Sequence, residues 1–162
     1  MPEAPWWQGR RGEWYVVAQA LLFALVALGP QQWPGAVPWP STLGTASRVA
    51  GALLIVVGAT LAAAAIVRLG PNLTALPYPK DHASLVIAGP YRVVRNPIYS
   101  GLILAALGWG LWVNGLLTLL YALMLLVFFD VKSRREERWL CEKFPEYAAY
   151  QRHVRKLIPW VY

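Results

Sequence analysis

The sequence predicts an all-α, polytopic membrane protein with about four transmembrane helices and a cytoplasmic C-terminal amphipathic helix. Three observations carry that prediction. Hydrophobic residues make up 57% of the chain and charged residues 14%, whereas an ordinary soluble domain carries about 25% charged residues. Residues 97–129 contain no charged side chain at all. The basic residues behind the net charge of +7 stand in blocks outside the apolar runs. That arrangement orients a membrane protein, and no recognition motif accompanies it that would make nucleic acid a partner. At 162 residues the chain is a single domain, 1–162.

Taken in order, residues 1–13 form a polar tail with Trp6, Trp7, Arg10 and Arg11. The first span covers residues 14–29. It is short for a bilayer crossing of about 20 residues, but Trp14 and Tyr15 extend it into the headgroup region. Basic residues ahead of a short apolar run also describe a signal peptide, although no A-x-A cleavage pattern follows. Residues 29–47 read as an uncharged loop in which Pro30, Pro34, Pro38 and Pro40 exclude a regular helix. The second span, residues 49–67, carries Gly51, Gly58 and an alanine run that let another helix approach closely.

Residues 68–96 form a long loop kept open by Pro71, Pro77, Pro79 and Pro90. An irregular segment of this length inside a compact protein points to function. Within the apolar run that follows, Asn114-Gly115 is a turn dipeptide. It divides the run into spans three (97–113) and four (116–129), a tight antiparallel hairpin. Residues 130–144 lack Gly and Pro and continue as helix. Pro145 opens a further helix, whose stripe of Tyr147, Tyr150, Val154, Leu157 and Ile158 ends in Trp160 and Tyr162, an amphipathic membrane-surface element.

Arg10 and Arg11 precede span one, Arg68, Lys80, Arg92 and Arg95 lie between spans two and three, and most other basic residues follow span four. By the positive-inside rule both termini and the central loop are cytoplasmic, in the inner membrane if the source is bacterial. A single cysteine, Cys141, excludes an intramolecular disulfide, and His82 and His153 have no metal-ligand spacing, so no metal is expected.

The hairpin places two polar clusters at the same end: the Tyr91 to Tyr99 stretch at the head of span three, and Lys132, Arg134, Arg135, Glu136 and Glu137 beyond the foot of span four. Gly89-Pro90-Tyr91-Arg92-x-x-Arg95-Asn96-Pro97-x-Tyr99-x-Gly101 resembles the G-x-Y-x-x-x-R-H-P-x-Y-x-G signature of the isoprenylcysteine carboxyl methyltransferase family. Glu136-Glu137-x-x-Leu140-x-x-x-Phe144-x-x-Tyr147-x-x-Tyr150 resembles the E-E-x-x-L-x-x-x-F-G-x-x-Y-x-x-Y tail of the same family. Phospholipid N-methyltransferases share this architecture, and their paired glycines are similar to Gly108-Trp109-Gly110. The resemblance covers residues 69–159. Asn96 stands where the family has His, and Pro145 where it has Gly.

The resemblance implies an S-adenosyl-L-methionine-dependent methyltransferase acting on a lipophilic acceptor, an isoprenylcysteine-like carboxylate or a phospholipid amine, that enters from the bilayer. It implies cofactor contacts for Ser84, Leu85, Val86, Tyr91, Arg95, Asn96, Pro97, Ile98, Tyr99, Gly108, Gly110 and Glu136. Glu137 and Arg135 are its catalytic candidates and Lys132 its substrate-facing residue. The chemistry suits the donor: a carboxylate such as Glu136 pairs with its positive groups through charge-assisted hydrogen bonds. Asn keeps a donor and an acceptor where imidazole would titrate. Each residue also has a plain structural reading: Arg92 and Arg95 as lipid-phosphate anchors, Tyr91 and Tyr99 as aromatic-belt residues, the glycines as helix packing. Two other functions stay open, a non-catalytic lipid- or partner-binding protein of this fold and a sterol-reductase-like membrane reductase.

Overall fold

The computed structural model describes residues 12–37, 39–80, 82–159 and 161–162. The predicted interfacial residues Trp6, Trp7 and Trp160, the pair Arg10 and Arg11, and Pro38 lie outside the described residues. Among those described, regular structure is entirely helical: α1 (Glu13–Leu28), α2 (Ser41–Leu69), α3 (Pro97–Trp112), α4 (Leu116–Lys143) and α5 (Tyr147–His153). Short 3₁₀ turns at Gly70–Asn72 and Gly89–Arg92 punctuate the central loop. Two helices, α2 and α4, are long and apolar enough to cross a membrane. At 29 residues α2 is about 43 Å long, longer than the roughly 30 Å hydrocarbon core. The apolar helices α1 and α3 have 16 residues each.

The second helix starts earlier than expected. Residues 41–47 are helical rather than loop, because Pro40 is the last proline and the first turns of α2 have something to pack on. Gly44 sits against the Asn114 side chain, and the Ser47 hydroxyl donates to the Leu111 carbonyl at 2.9 Å. Further along, α2 and α3 are antiparallel and in backbone contact at two points, two helical turns apart. A Cβ on Gly51 would stand 2.5 Å from the Gly108 carbonyl oxygen, and one on Gly58 would stand 2.5 Å from that of Gly101. Small residues at such crossings let dispersion replace the hydrophobic drive that lipid does not supply.

The expected hairpin is present. Asn114 takes φ 50°, the left-handed value a tight turn demands, and the Gly115 amide closes onto the Gly110 carbonyl. Helix α4 then runs on unbroken through the charged residues to Lys143. In sequence of contact, α2 packs on α3, α3 on α4 and α4 on α1, while α1 and α2 barely meet. The 29–40 connection meets the hairpin turn at one end, where the Leu117 amide donates to the Gln31 carbonyl. Gly12, the central loop, the head of α3 and the foot of α4 gather at the other, with Gly12 against Pro77.

The C-terminal helix is shorter than the apolar stripe predicts. α5 ends at His153, and residues 154–159 run back across the head of α3. The reason is competition for carbonyl groups. A continuing helix would use the Gln151 and Val154 carbonyls internally, but the Arg95 guanidinium takes both. The Arg95 and Asn96 amides donate to the carbonyls of Arg155 and Lys156 at 2.8 and 3.1 Å. Leu157 then inserts into the core cluster with Phe129, Leu125 and Ile103, its carbonyl held by the Ser100 hydroxyl.

Candidate functional site

A cavity of about 370 Å³ opens where the central loop, the head of α3, the charged end of α4 and α5 converge. That is within the size range of ligand pockets. Its floor is Tyr99, whose ring stacks on Phe129 with centroids 4.3 Å apart. Phe129 is wholly buried, so the tyrosine ring is fixed and its hydroxyl points at α4. There it donates to Glu136 Oε1 at 2.5 Å. One turn earlier on α4, Lys132 places its ammonium 3.9 Å from the same carboxylate oxygen. Lys132 itself is 2% exposed. The wall is completed by Ser84, Leu85 and Val86, an irregular stretch anchored where the Ser84 amide donates to Asn72 Oδ1 at 3.0 Å.

Behind the wall lies a clasp. Glu137 accepts from Arg95 Nε and Nη2 at 2.9 and 3.1 Å, from Asn96 Nδ2 at 3.0 Å and from Gln151 Nε2 at 3.0 Å. Both partners of the ion pair are largely buried. Burial alone would lower the Arg95 pKa, but the hydrogen bonds and charge of Glu137 more than offset it and leave it raised. This single carboxylate ties the head of α3 to α4 and α5. Burial, followed by the charge of Glu136, pushes the Tyr91 phenol up to about 12. Tyr147 and Tyr150 are likewise raised, chiefly by burial. These tyrosines are neutral donors at neutral pH.

Of the residues singled out in the sequence, Ser84, Leu85, Val86, Tyr91, Arg95, Asn96, Pro97, Ile98, Tyr99, Lys132 and Glu136 all line the cavity. Four do not. Gly108 lies against Gly51 and Ile55 of α2, and Gly110 against Leu119 of α4, so both positions are occupied by helix packing. Glu137 spends its two oxygens on the four donors of the clasp. The Arg135 guanidinium lies over the Trp139 ring, 4.9 Å from its centroid. Asn96, in the position of the family histidine, directs its amide N–H at Glu137, a job that needs a donor and no titration.

Sequence reasoning missed Gln19 of α1 and Asn72, and placed Tyr147 and Tyr150 on the stripe of a membrane-surface helix, whereas all four lie on the cavity wall. A signal for Gln19 was present: it is the one amide in an otherwise apolar run. The tyrosines were inside the quoted tail motif. Asn72 carried no signal, since its role depends on meeting Ser84 twelve residues on.

The sequence has relatives. A family model for phospholipid methyltransferases matches residues 46–147. The chain is 31% identical over 151 residues to the cobalt-zinc-cadmium resistance protein CzcN of Cupriavidus metallidurans, covering 93% of this chain and 63% of that one. It is 30% identical over 115 residues to a probable protein-S-isoprenylcysteine O-methyltransferase of Oryza sativa, covering 68% and 60%. With the protein-S-isoprenylcysteine O-methyltransferase of Schizosaccharomyces pombe it shares 38% identity over 84 residues, 51% of this chain and 35% of that one. The chain thus spans less than two thirds of the length of each of these relatives.

Proposed function

The chain belongs to the phospholipid methyltransferase family, and on that premise we propose that it is a membrane methyltransferase using S-adenosyl-L-methionine on a lipophilic acceptor. One observation carries the reading: a cavity at the polar end of an apolar helical bundle, with a partly buried carboxylate, Glu136, on its wall. The residues present fit the donor. Glu136 offers its remaining lone pairs to an ammonium, Tyr91 offers a ring face, and Leu85 and Val86 offer backbone groups that no helix uses.

The cofactor, when bound, supplies an electrophilic methyl carbon whose bond to sulfur breaks as the acceptor's oxygen or nitrogen bonds to it, sulfur keeping the electron pair. The protein's own part is alignment and exclusion of water. Stacked on Phe129, Tyr99 holds Glu136 in place. The clasp around Glu137 keeps the head of α3 against α4, and the tail across α3 seals the end. A carboxylate acceptor reacts without losing a proton, whereas an amine must lose one.

The same reading places four spans in the membrane, with both termini and the cavity on the cytoplasmic side. Basic residues favour it: Lys80, Arg92, Arg95 and the foot of α4 share one end, and the opposite loops carry no charge. Substrate then enters laterally from the lipid.

The test is calorimetric titration of S-adenosyl-L-methionine into detergent-purified protein, repeated with Glu136→Ala. Micromolar binding that the substitution abolishes is the expected result. A folded, monodisperse wild type that binds nothing would refute the reading.

A further inference from the structure

Residues 73–80, between the foot of α2 and the Ser84 stretch, cross the polar end of the bundle, and all of them but Tyr78 and Lys80 line the cavity. Both ends of this strap are pinned. The Asn72 side chain pairs with the Ser84 amide and hydroxyl, and the Lys80 ammonium donates to the Pro71 carbonyl at 2.8 Å. Between the pins, among the described residues, no backbone–backbone hydrogen bond joins residues 74–79 to the rest of the chain. Side chains hold the strap down instead. Pro77 rests against Gly12, the Ala75 carbonyl accepts from Lys132 at 3.4 Å, and Tyr78 meets the Trp139 ring edge-on with centroids 5.4 Å apart. A segment fastened in this way opens more easily than a helix or a strand, and Pro77 and Pro79 make it move as a stiff piece.

Tyr78 is on the other side of the strap. With Trp139, Glu142 and Lys143 it lines a second, shallow hollow of about 360 Å³, and Pro79 is on the wall of both spaces. The partition between them is therefore thin at Pro79. Trp139 is the one aromatic residue among 130–143 and stands at an open position of the tail motif. Arg135, one turn earlier on α4, places its guanidinium 4.9 Å from the centre of that ring. Lys143, one turn later, donates to the Lys80 carbonyl. Helix α4 thus grips the strap from the cavity side with Lys132 and from the hollow with Trp139 and Lys143. A cofactor carrying an ammonium, a carboxylate and a sulfonium arrives from water, since hydrocarbon excludes such charges. We propose that residues 73–80 form a lid, clipped shut by Tyr78 on Trp139, through which the cofactor passes between the hollow and the cavity. The identity of the passenger rests on the methyltransferase reading; the lid rests on the strap alone. Opening leaves Tyr99, Glu136 and the clasp in place, so exchange is separable from the binding contacts.

The test is the rate at which a cationic methanethiosulfonate labels Ile98→Cys, a half-buried position on the cavity wall, in detergent-purified Cys141→Ser protein. Tyr78→Ala and Trp139→Ala are each expected to raise that rate about tenfold, and the two together no further, because they remove one contact. Tyr78→Phe keeps the ring and is expected to match the parent. In the chain with its own cysteine, Tyr78→Ala leaves Cys141 labelling at the wild-type rate, which loosening of α4 and α5 would raise. Equal Ile98→Cys labelling in the parent and in Tyr78→Ala, or a parallel rise at Cys141, overturns the lid. The passenger is followed with tritiated S-adenosylhomocysteine, the spent cofactor, by scintillation proximity. Tyr78→Ala is expected to speed its association and dissociation alike, about tenfold, at unchanged affinity. Weaker affinity at an unchanged association rate makes Tyr78 a binding contact and overturns the proposal. Gated labelling without any cofactor binding keeps the lid and removes the methyltransferase reading; cofactor binding with ungated labelling does the reverse.

Discussion

Whether Glu137 clamps the structure or moves a proton is decided by substitution and by the reactivity of one thiol. Glu137→Ala removes the acceptor of four hydrogen bonds and leaves the Arg95 guanidinium, 12% exposed, with no counter-charge. Breaking a buried ion pair from one side costs about 3–5 kcal/mol. Because the clasp joins α4 to α5, that cost falls on the local opening of these helices rather than on the α2–α3 contact. Cys141, the single cysteine of the chain, is a built-in reporter, half-buried beside Gln151. Its maleimide labelling rate follows the open fraction when reclosing is fast. A loss of about 3 kcal/mol raises that rate about a hundredfold. Glu137→Gln retains one acceptor oxygen and is expected to fall between the wild type and Glu137→Ala. Arg95→Met combined with Glu137→Leu removes both charges and is expected to cost less than the sum of the two single substitutions. Strict additivity, or a Glu137→Gln variant that loses catalysis while Cys141 labelling stays at the wild-type rate, would refute the clasp and restore Glu137 as a base.

The helix contacts and the buried phenol set further outcomes. Gly58→Ala places a Cβ 2.5 Å from the Gly101 carbonyl and is expected to lower the thermal midpoint by the equivalent of at least about 1–3 kcal/mol. Gly44→Ala, with its nearest neighbour at 3.6 Å, is expected to be neutral or stabilising by up to about 1 kcal/mol. Leu157→Ala, which empties a site 4% exposed in the core, is expected to cost about 2–5 kcal/mol by thermal melting. The Tyr91 phenol is raised to about 12, first by burial and then by the charge of Glu136. Unfolded it titrates near 10, so its contribution is present below that pH and is lost as the pH climbs toward 12. Tyr91→Phe should therefore move the alkaline unfolding midpoint upward, measured by circular dichroism.

How much of this was legible in the sequence depends on how far each feature reaches. The Asn114-Gly115 turn needed only its own dipeptide and the uncharged run around it. The prolines of the central loop acted locally as well. Once the turn was placed, antiparallel geometry brought Tyr99 to Glu136 and Arg95 to Glu137 without any further information. The start of α2 was read too late because Ser41 to Ser47 becomes helical through contacts with Leu111 and Asn114, more than sixty residues away. The end of α5 was read too far along for the same reason. A stripe from Tyr147 to Ile158 is a sound helical pattern until Arg95 removes two of the carbonyls it would need. Gly108 and Gly110 were ambiguous on their face, since a missing side chain admits a ligand and a helix equally well; the partner decides, and the partner is α2 for one and α4 for the other.

That asymmetry bears on the site itself. Nearly every residue the motifs supplied belongs to the wall near Glu136, the part the family shares. Gln19, whose Oε1 accepts from the Lys132 ammonium, comes from α1, outside the matched segment 46–147. The wall at Glu136 is built by α4 and the loop before α3, whose register is fixed by the clasp. The surroundings of Lys132 are completed by a helix that touches the rest of the bundle mainly through α4, so a single substitution in α1 changes the partner of its ammonium while leaving Tyr99, Glu136 and the clasp where they are.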